Sequence, residues 1–386
     1  MPARARNLCG MGQKVLIVPD KFKGTLTAAE AAEAMARGWR AARPDDEIEC
    51  LPMSDGGDGF GEIVSLLVHG ETREVETVDA AGRPIRAAWW WQAERRLAIV
   101  ESAQVIGLAQ LPRGQFHPFD LDTRGLGAVF RAAAEAGAAQ CLVGIGGSST
   151  NDGGFGLAHA WGWQFQRTDG SIIERWTELH ELDRLVPPAD APSLGEVIVA
   201  VDVQNRLLGP EGATRVYGPQ KGLRPEDFDL AERCLERLAD CVRRRLGRDV
   251  AAEPGSGAAG GLGFGLCAFL GARLEPGFDL FARLAELRER VQAADVVVTG
   301  EGSIDASSLM GKGVGEVARV CQELGRPCLG LGGVVAEAAR SAGPFTAVHA
   351  MAPELTTREE AQRRPALWLE RLAQQVASSF QLPASS

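Results

Sequence analysis

The chain has 386 residues, 45% of them hydrophobic and 24% charged, with 51 acidic against 41 basic side chains and a formal net charge of −10. That composition excludes an intrinsically disordered chain and supplies apolar material for one large core or, more naturally, two. The acidic balance, with Arg243–Arg245 as the one basic cluster, argues against nucleic acid as the main partner, and no run reaches the ~18 apolar residues of a membrane span.

The opening "MPARARNLCGMGQ" has two arginines but lacks the apolar stretch of a secretory leader. Because "MGQKVLIVPD" reads as a natural start, residues 1–11 are predicted to be a flexible extension. Lys14 to Asp20 is a short, continuous apolar run of the kind a fully buried parallel strand shows. Thr27 with Glu30 three residues later is a capping box opening an Ala-rich helix. In "LPMSDGGDGF", Asp55 and Asp58 lie in a double-glycine turn ahead of a helical pattern from Phe60. They read as turn caps, or as groups that bind a metal or a polyol.

From about Asp79 to Gly277 the pattern changes to short strands such as "IRAAWWWQ" and "RLAIVES", long polar connections and glycine-rich stretches. One strong helix stands out, with Phe228, Ala231, Leu235, Leu238, Val242 and Leu246 forming a single apolar stripe. After it the strand–helix alternation returns: "DVVVTG", "GVGEVARVCQELG", "PCLGLGG", "AEAARSAG", "FTAVHAM" and a last helix from about Thr357. Repeated units of this kind imply a parallel sheet covered by helices on both faces.

Cys141 to Gly154, "CLVGIGGSSTNDGG", is a buried strand that gives way to glycines and hydroxyls before a helical pattern. Such a place leaves backbone N–H groups and a positive helix end facing outward and can hold phosphate. Ser148, Ser149 and Thr150 add hydroxyls, and Asn151 and Asp152 could hold Mg²⁺ or its waters. The plainer reading is a tight glycine turn whose polar residues cap the helix. "GSGAAG" (Gly255 to Gly260) satisfies a dinucleotide fingerprint in spacing, but "RDVAAEP" before it is not an apolar strand. Several strands end in similar chemistry: Asp20 after the first, Asp202 after "EVIVAV", Glu301 after "VVVTG" and Gly332 in "LGG". Ligands of open α/β sheets gather at such strand ends. Lys21, Lys23, Lys221 and Lys312 stand beside these ends or between glycines, where an anion can be approached closely. The eight cysteines have neither zinc-ligand spacing nor the pattern of a disulfide framework, so buried reduced thiols in a reducing cytoplasm are expected.

Taken together, "VPDKFKGTLTAAEAA", "SDGGDGF", "GIGGSSTNDGG", "DVQNRLLGPEGATRVYGPQKG", "GSGAAGGLGFGL" and "TGEGSIDASSLMGKG" resemble the successive signature segments of bacterial type-1 glycerate kinases, in the family's order. The resemblance implies an α/β protein of two domains. One is flavodoxin-like or Rossmann-like, with a parallel sheet formed by both chain ends (1–78 and 278–386). The other is an inserted α/β domain of mixed sheet (79–277), with the active site in the cleft between them. It also implies ATP- and Mg²⁺-dependent phosphorylation of D-glycerate, most often at the 2-hydroxyl; a cytoplasmic monomer or homodimer is expected.

Carried onto this sequence, the resemblance makes Gly146, Gly147, Ser148, Ser149, Thr150, Asn151 and Asp152 the cradle of the ATP phosphates and Asp202 the base. Lys23 and Lys221 would clamp the glycerate carboxylate or a phosphate. Asp20, Asp55, Gly56, Glu301, Asp305 and Lys312 would line the substrate site, with Asp152 and Glu301 as metal ligands. The chain departs from the family pattern at Lys21, Asp58, Val203 to Arg206, Ser303 and Ser307, which bears on the acceptor more than on phosphoryl transfer. Phosphorylation at the 3-hydroxyl or of a related hydroxy acid, a nicotinamide-dependent oxidoreductase using "GSGAAG", and a non-catalytic sugar-acid-binding protein are the alternatives.

Overall fold

The computed structural model describes residues 12–309, 313–341 and 343–381. The flexible extension expected over residues 1–11 lies outside them. The strands are β1 (Lys14–Pro19), β2 (Glu47–Cys50), β3 (Glu71–Val78), β4 (Pro84–Gln92), β5 (Leu97–Glu101), β6 (Gln140–Gly144), β7 (Gln164–Gln166), β8 (Arg184–Val186), β9 (Glu196–Val201), β10 (Arg273–Pro276), β11 (Val296–Ile304), β12 (Cys328–Val335) and β13 (Ala347–Ala352). Two compact units are present, one made of the described residues up to Ser54 and from Phe281 onward, the other of Asp55–Leu280.

The first unit is built on a parallel sheet in the order β2-β1-β11-β12-β13. Counted within the unit this is the 2-1-3-4-5 winding of flavodoxin-like folds, whose switch point lies between its first and third strands, here β1 and β11. Val15 to Val18 are all buried, as continuous apolar strands covered on both faces must be. One face packs Ile17, Val298 and Leu331 against Met35 and Trp39 of the helix Ala28–Ala42 and Leu369 and Leu372 of the helix Pro365–Ser379. The capping box forms as the sequence predicts: Glu30 N donates to Thr27 Oγ1 at 3.2 Å and Thr27 N donates to Glu30 Oε2 at 2.8 Å.

The second unit holds a mixed sheet in the order β10-β9-β6-β5-β4-β3. β10, β9, β6 and β5 run parallel, while β4 and β3 are added antiparallel. The helix Phe228–Leu246 buries Ala231, Leu235, Leu238 and Val242 together with Cys234 and Cys241, while Leu246 ends the stripe exposed. Residues 55–78, grouped with the first unit in the sequence reading, pack within this second one. β3 pairs along β4 from Glu71 opposite Trp91 to Val78 opposite Pro84. Gly61 of the helix Phe60–Val68 lies so close to the Trp90 ring that a Cβ there would meet it at 1.8 Å. Among the described residues no helix is long and apolar enough to cross a membrane.

Candidate active site

In the second unit the carboxyl ends of the parallel strands collect the polar residues. β6 ends at Gly144, and the loop from Gly146 to Asp152 leads into the helix Phe155–Ala160. The Asp55–Gly57 turn lies across three neighbouring strand ends. Gly146 N donates to Gly56 O at 3.0 Å. A Cβ on Gly56 would sit 2.8 Å from Ala200 O at the end of β9, and one on Gly277, just past β10, would sit 1.7 Å from Asp55 O. Only backbone without side chains fits such approaches. Asp202 follows β9 directly, with its side chain exposed.

The loop is more committed than its string of small residues suggests. Ser149 N and Ser149 Oγ both donate to Ile106 O, at 2.8 and 2.9 Å, and Gly153 N donates to Gly260 O at 3.1 Å. Gly147 is exposed and Gly146 half-buried, whereas Ser148 through Asp152 are buried. Asp152 is fully buried. Its carboxylate accepts from Thr123 N at 2.9 Å, Thr123 Oγ1 at 2.8 Å, Gly156 N at 2.9 Å and Gly154 N at 3.2 Å. Burial pushes its pKa up, and the hydrogen bonds from Gly156 and Thr123 oppose that.

Lys221, at the end of the helix Ala213–Lys221, reaches the same loop. Its Nζ donates to Ser148 Oγ at 3.0 Å and to Thr150 O at 2.7 Å. Burial lowers its pKa to about 7, with the negative charge of Asp152 acting in the other direction. Thr150 Oγ1 and Asn151 Oδ1 are buried side-chain atoms without a hydrogen-bond partner among the described residues. Buried polar atoms of this kind call for a water or a bound polar group.

The first unit brings Asp20, Lys23, Glu301 and Asp305 to one sheet edge, where β1 ends and β11 runs past it. Asp20 N donates to Gly300 O at 2.9 Å, and a Cβ on Gly302 would lie 3.4 Å from Lys23 N. Asp20, Glu301 and Asp305 are half-buried and Lys23 is exposed. Asp305 N donates to Ser308 Oγ at 3.1 Å. Lys312 lies outside the described residues.

Several contributors escaped the sequence reading. Glu101, at the end of β5, is buried and accepts from Gly59 N at 3.1 Å and Gly61 N at 3.0 Å, which caps the helix Phe60–Val68. Burial raises its pKa. Its place at a strand end was the available signal. Thr123, Thr214 and Tyr217 had none, because their partners lie tens of positions away or across a turn. "GSGAAG" follows the short 3₁₀ turn Val250–Ala252 instead of a strand, and its last glycine packs beneath Thr150. Among the described residues no group of three or more His, Cys, Asp or Glu gathers as a metal centre.

A model of the glycerate kinase family matches residues 15–381. The chain is 36% identical to the glycerate kinase of Halalkalibacterium halodurans, over 94% of this chain and 97% of that one. It is 35% identical to the glycerate 2-kinase of Escherichia coli, over 83% and 85%. A crystal structure assigned as glycerate kinase 2 of Salmonella typhimurium LT2 superposes with a TM-score of 0.80 at 33% identity, covering 95% of this chain and 98% of that one.

Proposed function

This chain belongs to the glycerate kinase family, and from that premise we propose that it transfers the γ-phosphoryl group of ATP to the 2-hydroxyl of D-glycerate, giving 2-phosphoglycerate and ADP. Phosphoryl transfer demands little covalent chemistry of a protein: it needs positioning, neutralisation of spreading negative charge and a base for the acceptor hydroxyl. The observation that carries the reading is the meeting at one sheet edge of an exposed carboxylate, Asp202, with a loop pinned from behind by a buried lysine, Lys221.

In this reading Gly146, Gly147 and Ser148 present backbone and hydroxyl to the phosphates, with the Lys221 Nζ behind them as a donor that takes up a proton when phosphate charge stands in front of it. Asp152 organises the loop through its four accepted hydrogen bonds. Asp202 accepts the 2-hydroxyl proton as that oxygen attacks phosphorus. In the first unit, Lys23 and the carboxylates Asp20, Glu301 and Asp305 at the same strand ends form a separate polar cluster whose chemistry suits a carboxylate and hydroxyls.

Mg²⁺ fits the donors present. It is commonly held by one or two carboxylates plus phosphate oxygens, so a protein cage is not required. Asp58, whose Oδ1 a Cβ on Gly147 would meet at 2.0 Å, is the oxygen donor beside the loop that we assign to it. When bound, the ion would neutralise phosphate charge.

The test is Asp202→Asn. Turnover should fall about 10²- to 10⁴-fold while KM for ATP stays within about twofold. Near-normal kcat removes Asp202 from the role of base. Phosphorus-coupled NMR of the product should place the phosphate on C2, and a C3 product overturns the assigned position.

A further inference from the structure

The sequence contains a single tyrosine, Tyr217. It lies on the helix Ala213–Lys221, three residues after Thr214 and four before Lys221, so these side chains share an arc of about 60° on one helix face. Each reaches a different part of the site. Asn151 Nδ2 donates to Thr214 Oγ1 at 3.1 Å, and Lys221 holds Ser148 and Thr150 as described. The Tyr217 hydroxyl donates to Asn205 Oδ1 at 2.6 Å.

Asn205 in turn ties down the turn that follows β9. Its Nδ2 donates to Glu211 O at 2.7 Å, and its carbonyl accepts from Gly257 N at 2.9 Å. This is the turn that begins with Asp202. The phenol and that carboxylate also feel one another: burial first, and then the Asp202 charge, push the Tyr217 pKa up to about 12.

We propose that Tyr217 is a positioning residue for Asp202: through Asn205 its hydroxyl fixes the turn that carries the carboxylate, while Thr214 and Lys221 on the same helix face fix the loop Gly146–Asp152. One short helix thereby sets the separation between proton acceptor and phosphate loop. The inference rests on the assignment of Asp202 as base.

Tyr217→Phe keeps the ring and removes only the hydroxyl. In the full chain, kcat should fall about 10- to 100-fold, with KM for ATP and D-glycerate within about twofold and an unchanged thermal midpoint. Asn205→Ala, which breaks the same bond from the other side, should give a similar loss, and the double variant no more than either alone. Adding Tyr217→Phe to Asp202→Asn should cost less than about twofold, because the group it positions is already gone. Since the chain has one tyrosine, a ¹³Cζ-tyrosine label gives one NMR resonance, which should move in Asp202→Asn and in Asn205→Ala.

Unchanged kcat in Tyr217→Phe, a full additional loss on top of Asp202→Asn, or a resonance unmoved by Asp202→Asn overturns the proposal. Normal turnover of Asp202→Asn alone would instead remove the base assignment, and the resonance would still report whether phenol and carboxylate are coupled.

Discussion

Lys221 is an amine carried into a buried loop, 6% exposed, with two oxygen acceptors and its pKa brought from 10.5 down to about 7. Between those two values the unfolded chain binds a proton that the folded chain does not. This group's contribution to stability therefore grows as pH rises through that window and is lost as pH falls toward 7. Lys221→Met has no such titration. The thermal midpoint of the native protein should accordingly improve relative to the variant by a few degrees between pH 7 and about pH 9.5. A difference that stays constant across that range means the amine keeps its ordinary pKa. The lysine of "GPQKG" was marked in the sequence as a candidate to face an anion. Its attachment to Ser148 and Thr150 was not, because those partners lie more than seventy positions away, and neither was the capping of the helix Phe60–Val68 by Glu101 from across the sheet.

At the scale of elements, the helix Ala258–Leu270 is the least regular. Ala259, Gly260 and Gly261 have left-handed backbone within it, with φ of 55°, 68° and 85°, and the kink lets Gly260 seat against the loop Gly146–Asp152. A Cβ on Gly260 would lie 2.0 Å from Thr150 O and 2.8 Å from Asn151 Cα. Gly260→Ala should therefore lower stability by about 2–4 kcal/mol in thermal or urea unfolding, and weaken ATP binding by shifting the carbonyl that Lys221 holds. Gly271→Ala is the control. That residue has φ of +69° with nothing within 4 Å of its Cβ position, so only the left-handed backbone penalises it, by about 1 kcal/mol. Equal costs for the two substitutions would mean the contact with Thr150 is not what requires glycine at 260. Long buried elements were readable in advance. β1, β11, β12 and β13 are apolar runs, and the helix Phe228–Leu246 keeps its stripe because its period matches its burial. β2 ("EIEC") and β3 ("ETREVETV") were not, since edge strands carry polar residues and owe their conformation to the strand they pair with.

At the scale of the molecule, two separate cores stand out. One draws its buried residues from Ala80 to Ala272, the other from Val15 to Ala36 and Trp39 and again from Val296 to Ala377. The second unit is one uninterrupted segment that contains every strand of its sheet. A fragment of residues 55–280 should therefore fold alone, with a single cooperative urea transition by circular dichroism. Residues 1–54 alone should remain unfolded, because β1 needs β11 on one side as well as β2 on the other. A gradual, non-cooperative loss of signal from the 55–280 fragment would count against its independence.

The sequence by itself determined the α/β class, the alternating units at both chain ends, the glycine-rich strand ends and the kinase family, because these depend on local periodicity and on the order of short motifs. Only the tertiary structure decided that residues 55–78 join the second unit and that Asp152 is saturated by four internal donors. It also decided that one face of the helix Ala213–Lys221 joins the loop Gly146–Asp152 to the turn bearing Asp202. The reason is physical: a hydrogen bond or a close packing contact is set by distance in space, and distance along the chain does not encode it until the sheets have formed.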